Sequence, residues 1–183
     1  MNIIKGFEKS KSFLSSNRYI NLTSDSILES SKMVFGESLD AHSYVQKIVN
    51  QVRDNGDTAI KNLVLKIEGN EVNDFVIKQN KLEEAYNRIP KNLQKALTLS
   101  SERITKFHQK SMPKSWYDES EGYGQNFIPV NSVGAYIPGG TAKYPSTVLM
   151  STIPAKIAGV KNISITCPMN YEGNIPDSVL AAA

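Results

Sequence analysis

One cysteine, one tryptophan and two histidines are all that these 183 residues hold of those three side chains. A lone thiol, Cys167, cannot close a disulfide within the chain, so no disulfide framework supports the fold. His42, His108 and Cys167 are the only imidazoles and the only thiol, and they fall on different elements. H-x-x-x-H and C-x-x-C spacings are absent, so the sequence carries no zinc pattern, and each of the three reads as a surface or core residue. His108 follows an apolar stripe near a helix C-terminus, where an imidazole suits the last turn. Cys167 ends a strand and reads as a small apolar filler. The G-x-G-x-x-G fingerprint and the P-loop pattern are missing too. Net charge is only +3 and the lysines are spread along the chain, with no basic block to attract nucleic acid. No apolar run is long enough to span a membrane, and the opening apolar run is too short for a secretory signal. Together these absences lead us to expect a cytoplasmic protein.

What is present suits one domain, or one and a fraction, with a real core. Residues 1–40 are rich in Ser and Asn, and Ser10 to Ser16 reads as a polar linker. Ser24 or Asp25 suits the cap of a short helix through Ile27 and Leu28. From residue 41 to 114 helical periodicity dominates. Val45, Ile48, Val49 and Val52 share one face, as do Ile60, Leu63, Val64 and Ile67. Asn55-Gly56 should end the first of these helices and Asp57 cap the second, making an α-hairpin. Phe75 to Ile77 suggests a short strand. Leu82, Ala85, Tyr86 and Ile89 mark a third helix. Leu93, Leu97, Ser100, Ile104 and Phe107 mark a long fourth one, ended by Pro113.

Residues 115–130 change character and read as a loose β-hairpin. The carboxylates of Glu83, Glu84, Glu119 and Glu121 have no partner base in view and read as solvated surface. Residues 131–183 read as strand, helix, strand. Val133 to Ile137 is a short strand, and Gly139-Gly140 turns the chain. Pro145 suits a first helical turn, with Ser146 and Thr147 able to satisfy its open amides. Pro154 should kink or break that helix, and Gly159 should cap it. A second strand, Asn162 to Cys167, implies a right-handed crossover with parallel strands. The segment from Asn174 to Ala183 starts a helix of about one turn, too short to bury a face alone.

A Gly-Gly turn between strand and helix is often plain chain reversal, yet amides at such a junction also hold phosphate or a dinucleotide. Tyr136 stands just before it. By alternation it either faces solvent, packs under the helix, or meets a ligand at the strand end.

The block Val133-Gly-Ala-Tyr-Ile-Pro-Gly-Gly140, with Tyr144-Pro-Ser-Thr-Val-Leu-Met150 and Ile153-Pro-Ala-Lys-Ile-Ala-Gly-Val160, resembles the signature region of the histidinol dehydrogenase family. The similarity reaches upstream through Arg53-Asp-Asn-Gly-Asp-Thr-Ala59, Glu102 to His108 and Pro113-Lys-Ser-Trp116. The resemblance implies an NAD-dependent, zinc-requiring oxidation of L-histidinol to L-histidine through the aldehyde, by a homodimer. It implies an α/β fold: a helical N-terminal region, then the opening of an incomplete Rossmann-like, aldehyde-dehydrogenase-like domain with parallel strands. It places an NAD contact at Tyr136, with Pro138, Gly139 and Gly140 as the adjoining wall. The family's zinc ligands, substrate contacts and proton-handling Glu-His pair match no residue here. The chain is therefore expected to be an N-terminal fragment, inactive alone. Two competing readings are a related dehydrogenase of another small alcohol, such as a sulfopropanediol, and a non-catalytic binding module.

Overall fold

The computed structural model describes residues 4–16, 24–139, 142–170 and 172–183. It divides into two compact units, Met1–Asn73 and Asp74–Ala183.

The first unit holds α1 (Phe7–Ser16), α2 (Asp25–Phe35) and α3 (Ala41–Glu68). The expected linker at Ser10 to Ser16 is instead the body of α1. Serine is a middling helix former, not a breaker, and the Ser10 amide already bonds the Gly6 carbonyl at 3.0 Å. Ser24 precedes α2 without a side-chain cap, and Gly36, at φ 79°, ends it. Asp40 caps α3 by accepting from the Ser43 amide at 3.1 Å and its hydroxyl at 2.7 Å. As expected, the first helix ends at Asn55-Gly56: α3 is two helices run together across a kink, with Gly56 outside helical geometry at φ 54°, ψ −136°. A kink replaces the loop because glycine absorbs the whole deviation. Ala59 and Leu63 are the buried residues of α3, whereas Val45, Val49 and Ile67 of the expected stripes are exposed.

The second unit holds α4 (Gln79–Arg88), α5 (Lys91–Ser111), β1 (Trp116–Asp118), β2 (Tyr123–Gln125), β3 (Ser132–Tyr136), α6 (Pro145–Ile157), β4 (Asn162–Thr166) and α7 (Asp177–Leu180). No strand forms at Phe75 to Ile77, for no neighbouring backbone pairs with it. The buried Gln94 amide donates to the Tyr86 carbonyl at 2.6 Å and to that of Ile89, closing the end of α4. In α5, Leu97 is buried, but Phe107 at the end of the expected stripe is 67% exposed. β1 and β2 pair antiparallel, as the sequence suggested, with Trp116 opposite Gln125. Asp118 holds their turn by accepting from the amides of Ser120 and Glu121.

β3 and β4 form a parallel pair, Ser132 opposite Asn162 through Tyr136 opposite Thr166, with α6 between them in the chain. Pro154 does not break α6, which continues to Ile157; it only denies the exposed Met150 carbonyl an i+4 donor. Gly159, at φ 88°, ends the helix in a Schellman arrangement, with Val160 N–H on the Ala155 carbonyl and Gly159 N–H on that of Lys156. Val148 of α6 packs with Ile137, Ala135 and Ile165 of the sheet, while Leu149 and Ile153 pack with Leu97 and Ile104 of α5. A helix apolar on two sides is thus buried between two layers. The short α7 corrects the expectation that it buries nothing: Val179 is 4% exposed, inside the cluster of Ile137 and Val148.

Candidate functional site

Alternation along β3 sends Val133, Ala135 and Ile137 toward α6 and α7, and Gly134 and Tyr136 to the other face. Ile137 is fully buried, whereas Tyr136 is 65% exposed. Of the three places open to Tyr136, the one beneath α6 is therefore excluded. Its face of the sheet carries Ser132, Gly134, Asn162, Ser164 and Thr166, all exposed. Tyr136 lies opposite Thr166 in the parallel register, and the Thr166 carbonyl accepts the Ile137 amide at 2.8 Å.

Pro138 is exposed and Gly139 half-buried at the mouth, and Gly140 lies outside the described residues. Gly139 has a reason to lack a side chain that is internal to the fold. A Cβ there would lie 2.9 Å from Pro168 Cγ, 3.1 Å from the Pro168 carbonyl oxygen and 3.2 Å from Cys167 Sγ. The loops after β3 and β4 thus close on each other, and sequence reasoning missed Cys167-Pro168 as the far wall. Cys167 itself packs against the apolar cluster of Ile137, Val148 and Val179, as a filler should.

The start of α6 is weaker as an anion site than its residue types suggest. Tyr144 holds the cap position and makes no side-chain cap, so Ser146 and Thr147 do not play that part. Pro145 has no N–H, and the Thr147 amide already bonds the Tyr144 carbonyl at 3.1 Å. The N–H of Ser146 is the first-turn donor left without an intrahelical acceptor.

Elsewhere, a shallow concavity of ≈ 680 Å³ on the hairpin is lined by Trp116, Tyr117, Tyr123 and their neighbours, without a carboxylate, imidazole or thiol. Among the described residues no three of His, Cys, Asp or Glu gather closely enough to hold a metal ion. His42 is exposed on α3; His108, half-buried, stacks edge-on to Phe107 at 5.2 Å and accepts the Ser111 hydroxyl on its carbonyl. The described residues do not fit a zinc site. No helix is long and apolar enough to cross a membrane among the described residues. One ion pair of the second unit was not foreseen. Arg88 at the end of α4 grips Asp177 of α7 with two bonds, Nε to Oδ2 at 2.9 Å and Nη2 to Oδ1 at 2.6 Å.

A parallel β–α–β unit, with an exposed tyrosine at the carboxyl end of its first strand, defines an α/β protein. Proteins of that class receive ligands at this edge. The histidinol dehydrogenase family model matches residues 35–183. The chain belongs to the histidinol dehydrogenase family. It is 41% identical over 142 residues to the histidinol dehydrogenase of Methanothermobacter thermautotrophicus, covering 76% of this chain and 33% of that one. With the Prochlorococcus marinus enzyme of the same name it shares 38% over 173 residues, covering 91% and 39%. A crystal structure of histidinol dehydrogenase from Elizabethkingia anophelis superposes with a TM-score of 0.74 at 27% identity, covering 85% of this chain and 37% of that one. The chain thus spans between a third and two fifths of the length of these relatives.

Proposed function

We propose that this chain is the N-terminal part of an NAD-dependent, zinc-requiring histidinol dehydrogenase, a cytoplasmic homodimer that oxidises L-histidinol to L-histidine through the aldehyde. The family match across residues 35–183, joined to the exposed Tyr136 at the mouth of a parallel β–α–β unit, carries this reading. The names of the relatives support histidinol over another small alcohol. In this reading the pair of parallel strands opens a Rossmann-like NAD-binding domain.

NAD, when bound, accepts hydride from the substrate. The contribution of the residues here is to bind and orient. The Tyr136 phenol offers a ring face to the nucleotide and a hydroxyl to a ribose or phosphate oxygen. The described part of the Pro138-Gly139-Gly140 turn forms the adjoining wall, with Gly139 too close to Pro168 to carry a side chain. No step through zinc is derived, and the 183 residues alone should not turn over.

The test is the KM for NAD in the whole enzyme. Loss of one neutral hydrogen bond costs about 0.5–1.5 kcal/mol, so Tyr136→Phe should raise that KM several-fold. Tyr136→Ala should raise it further, since the ring contact goes as well. The KM for histidinol and the zinc content should hold steady. An unchanged NAD KM in Tyr136→Ala sinks the assignment.

A further inference from the structure

We propose that Pro168 is a positioning residue for the cofactor mouth, holding the Pro138-Gly139 turn in place from the end of β4. The proposal rests on the reading that Tyr136 and this turn meet NAD, and deepens it.

The backbone bonds between β3 and β4 end where the mouth begins. In a parallel pair, every second residue of a strand both donates to and accepts from its neighbour. The Ile137 amide donates to the Thr166 carbonyl at 2.8 Å. With Tyr136 opposite Thr166, the next rung would run from the amide of residue 168 to the Ile137 carbonyl. Residue 168 is a proline and has no N–H to give. The two chains therefore leave the ladder here, and this rung cannot fix the distance between them.

Packing takes over that task. A Cβ on Gly139 would meet Pro168 Cγ at 2.9 Å and the Pro168 carbonyl oxygen at 3.1 Å, so ring and turn are in contact with no room for a methyl. Pro168 is itself anchored. Its ring fixes φ at about −65°. Cys167, just before it, packs against the cluster of Ile137 and Val148, and the thiol donates to the Pro168 carbonyl at 3.5 Å. All of these residues belong to one β–α–β unit and the loops that leave its strands. A close-packed contact transmits a displacement instead of absorbing it. A change at Pro168 is thus felt at Gly139, and from there at Pro138 and Tyr136, its near neighbours in the chain.

The experiment measures the KM for NAD, the KM for histidinol and thermal unfolding in the whole enzyme. The variants are Pro168→Ala, Gly139→Ala, the two combined, and Tyr136→Ala. Pro168→Ala removes the ring atom nearest Gly139 and offers the Ile137 carbonyl the donor that proline withholds; both changes shift the turn. It should raise the NAD KM about two- to tenfold and leave the histidinol KM as it was. Gly139→Ala pushes from the other side and should raise the NAD KM as well. In the double variant the space left by Cγ takes up the new methyl, so its NAD KM should lie below that of Gly139→Ala alone. If Pro168→Ala lowers only the melting temperature while Tyr136→Ala raises the NAD KM, Pro168 is merely structural: the proposal fails and the cofactor reading stands. Simple additivity in the double variant overturns the proposal too. A silent Tyr136→Ala removes the cofactor reading and this proposal with it. Should Gly139→Ala not fold, Pro168→Ala set against Tyr136→Ala decides the matter.

Discussion

Tyr136 and Ile137 are neighbours with opposite surroundings, one largely in water and the other without any exposed surface. That contrast separates a ligand role from a packing role. Because so much of Tyr136 is exposed, its loss should leave the melting temperature near that of the native protein. Gly139 is the reverse case. In Gly139→Ala the new methyl meets Pro168 and Cys167 at 2.9–3.2 Å, closer than ordinary contact. Overpacking of this kind typically costs about 1–3 kcal/mol, so thermal unfolding of Gly139→Ala should shift down accordingly. If its stability is unchanged, the two loops are not closed on each other as described. The glycines at the turn were legible in the sequence; that one of them serves the fold was not, since Pro168 lies on another strand's loop.

At the scale of elements, α3 shows how one residue sets the break between two helices. Gly56 sits at φ 54°, ψ −136°, a region closed to side chains, with nothing within 4 Å of where a Cβ would stand. Sterics of space therefore do not forbid Gly56→Ala, but the backbone does. Strain of about 1–3 kcal/mol is expected, read as a lower denaturation midpoint with an unchanged m-value. A stability equal to that of the native protein would mean the kink lies elsewhere. α6 makes the complementary point. Its proline was legible, and so was the risk of a break, but burial between the sheet and α5 on Val148, Leu149 and Ile153 outweighs one missing bond.

At the scale of the whole molecule, three aspartates among the described residues titrate below their usual range. Hydrogen bonds from Ser43 hold Asp40 down, those from Ser120 and Glu121 hold Asp118 down, and the Arg88 guanidinium does the same for Asp177. The Arg88 pKa is raised in turn, so the two partners agree. A carboxyl whose folded pKa is depressed leaves the native state holding fewer protons than the unfolded state. Its stabilisation is full above the ordinary aspartate value of about 3.9 and is lost as pH falls through the lower folded value. Melting temperature should therefore drop on acidification through that window and stay flat across neutral pH. Asp177→Asn should be less stable near neutrality yet lose less on acidification. An identical acid slope in the variant would show that Asp177 takes no part.

Local chemistry by itself determined the β–α–β unit, the hairpin and the cap at Gly159, because period, proline and glycine act over a few residues; the family was legible from the resemblance of the block from Val133 to Val160. It could not say which face of β3 is covered, since alternation separates two faces without naming the buried one. It suggested a strand at Phe75 to Ile77 that never forms, because a strand needs a partner and propensity alone supplies none. It treated α7 as unsupported, although Val179 is buried there. Only the tertiary structure decided these points and brought Arg88 to Asp177, 89 positions apart in the chain. An ion pair across that distance leaves no local signature. It exists because two apolar clusters, meeting at Ala182, draw α7 against α4 and α6 and set the two charges side by side.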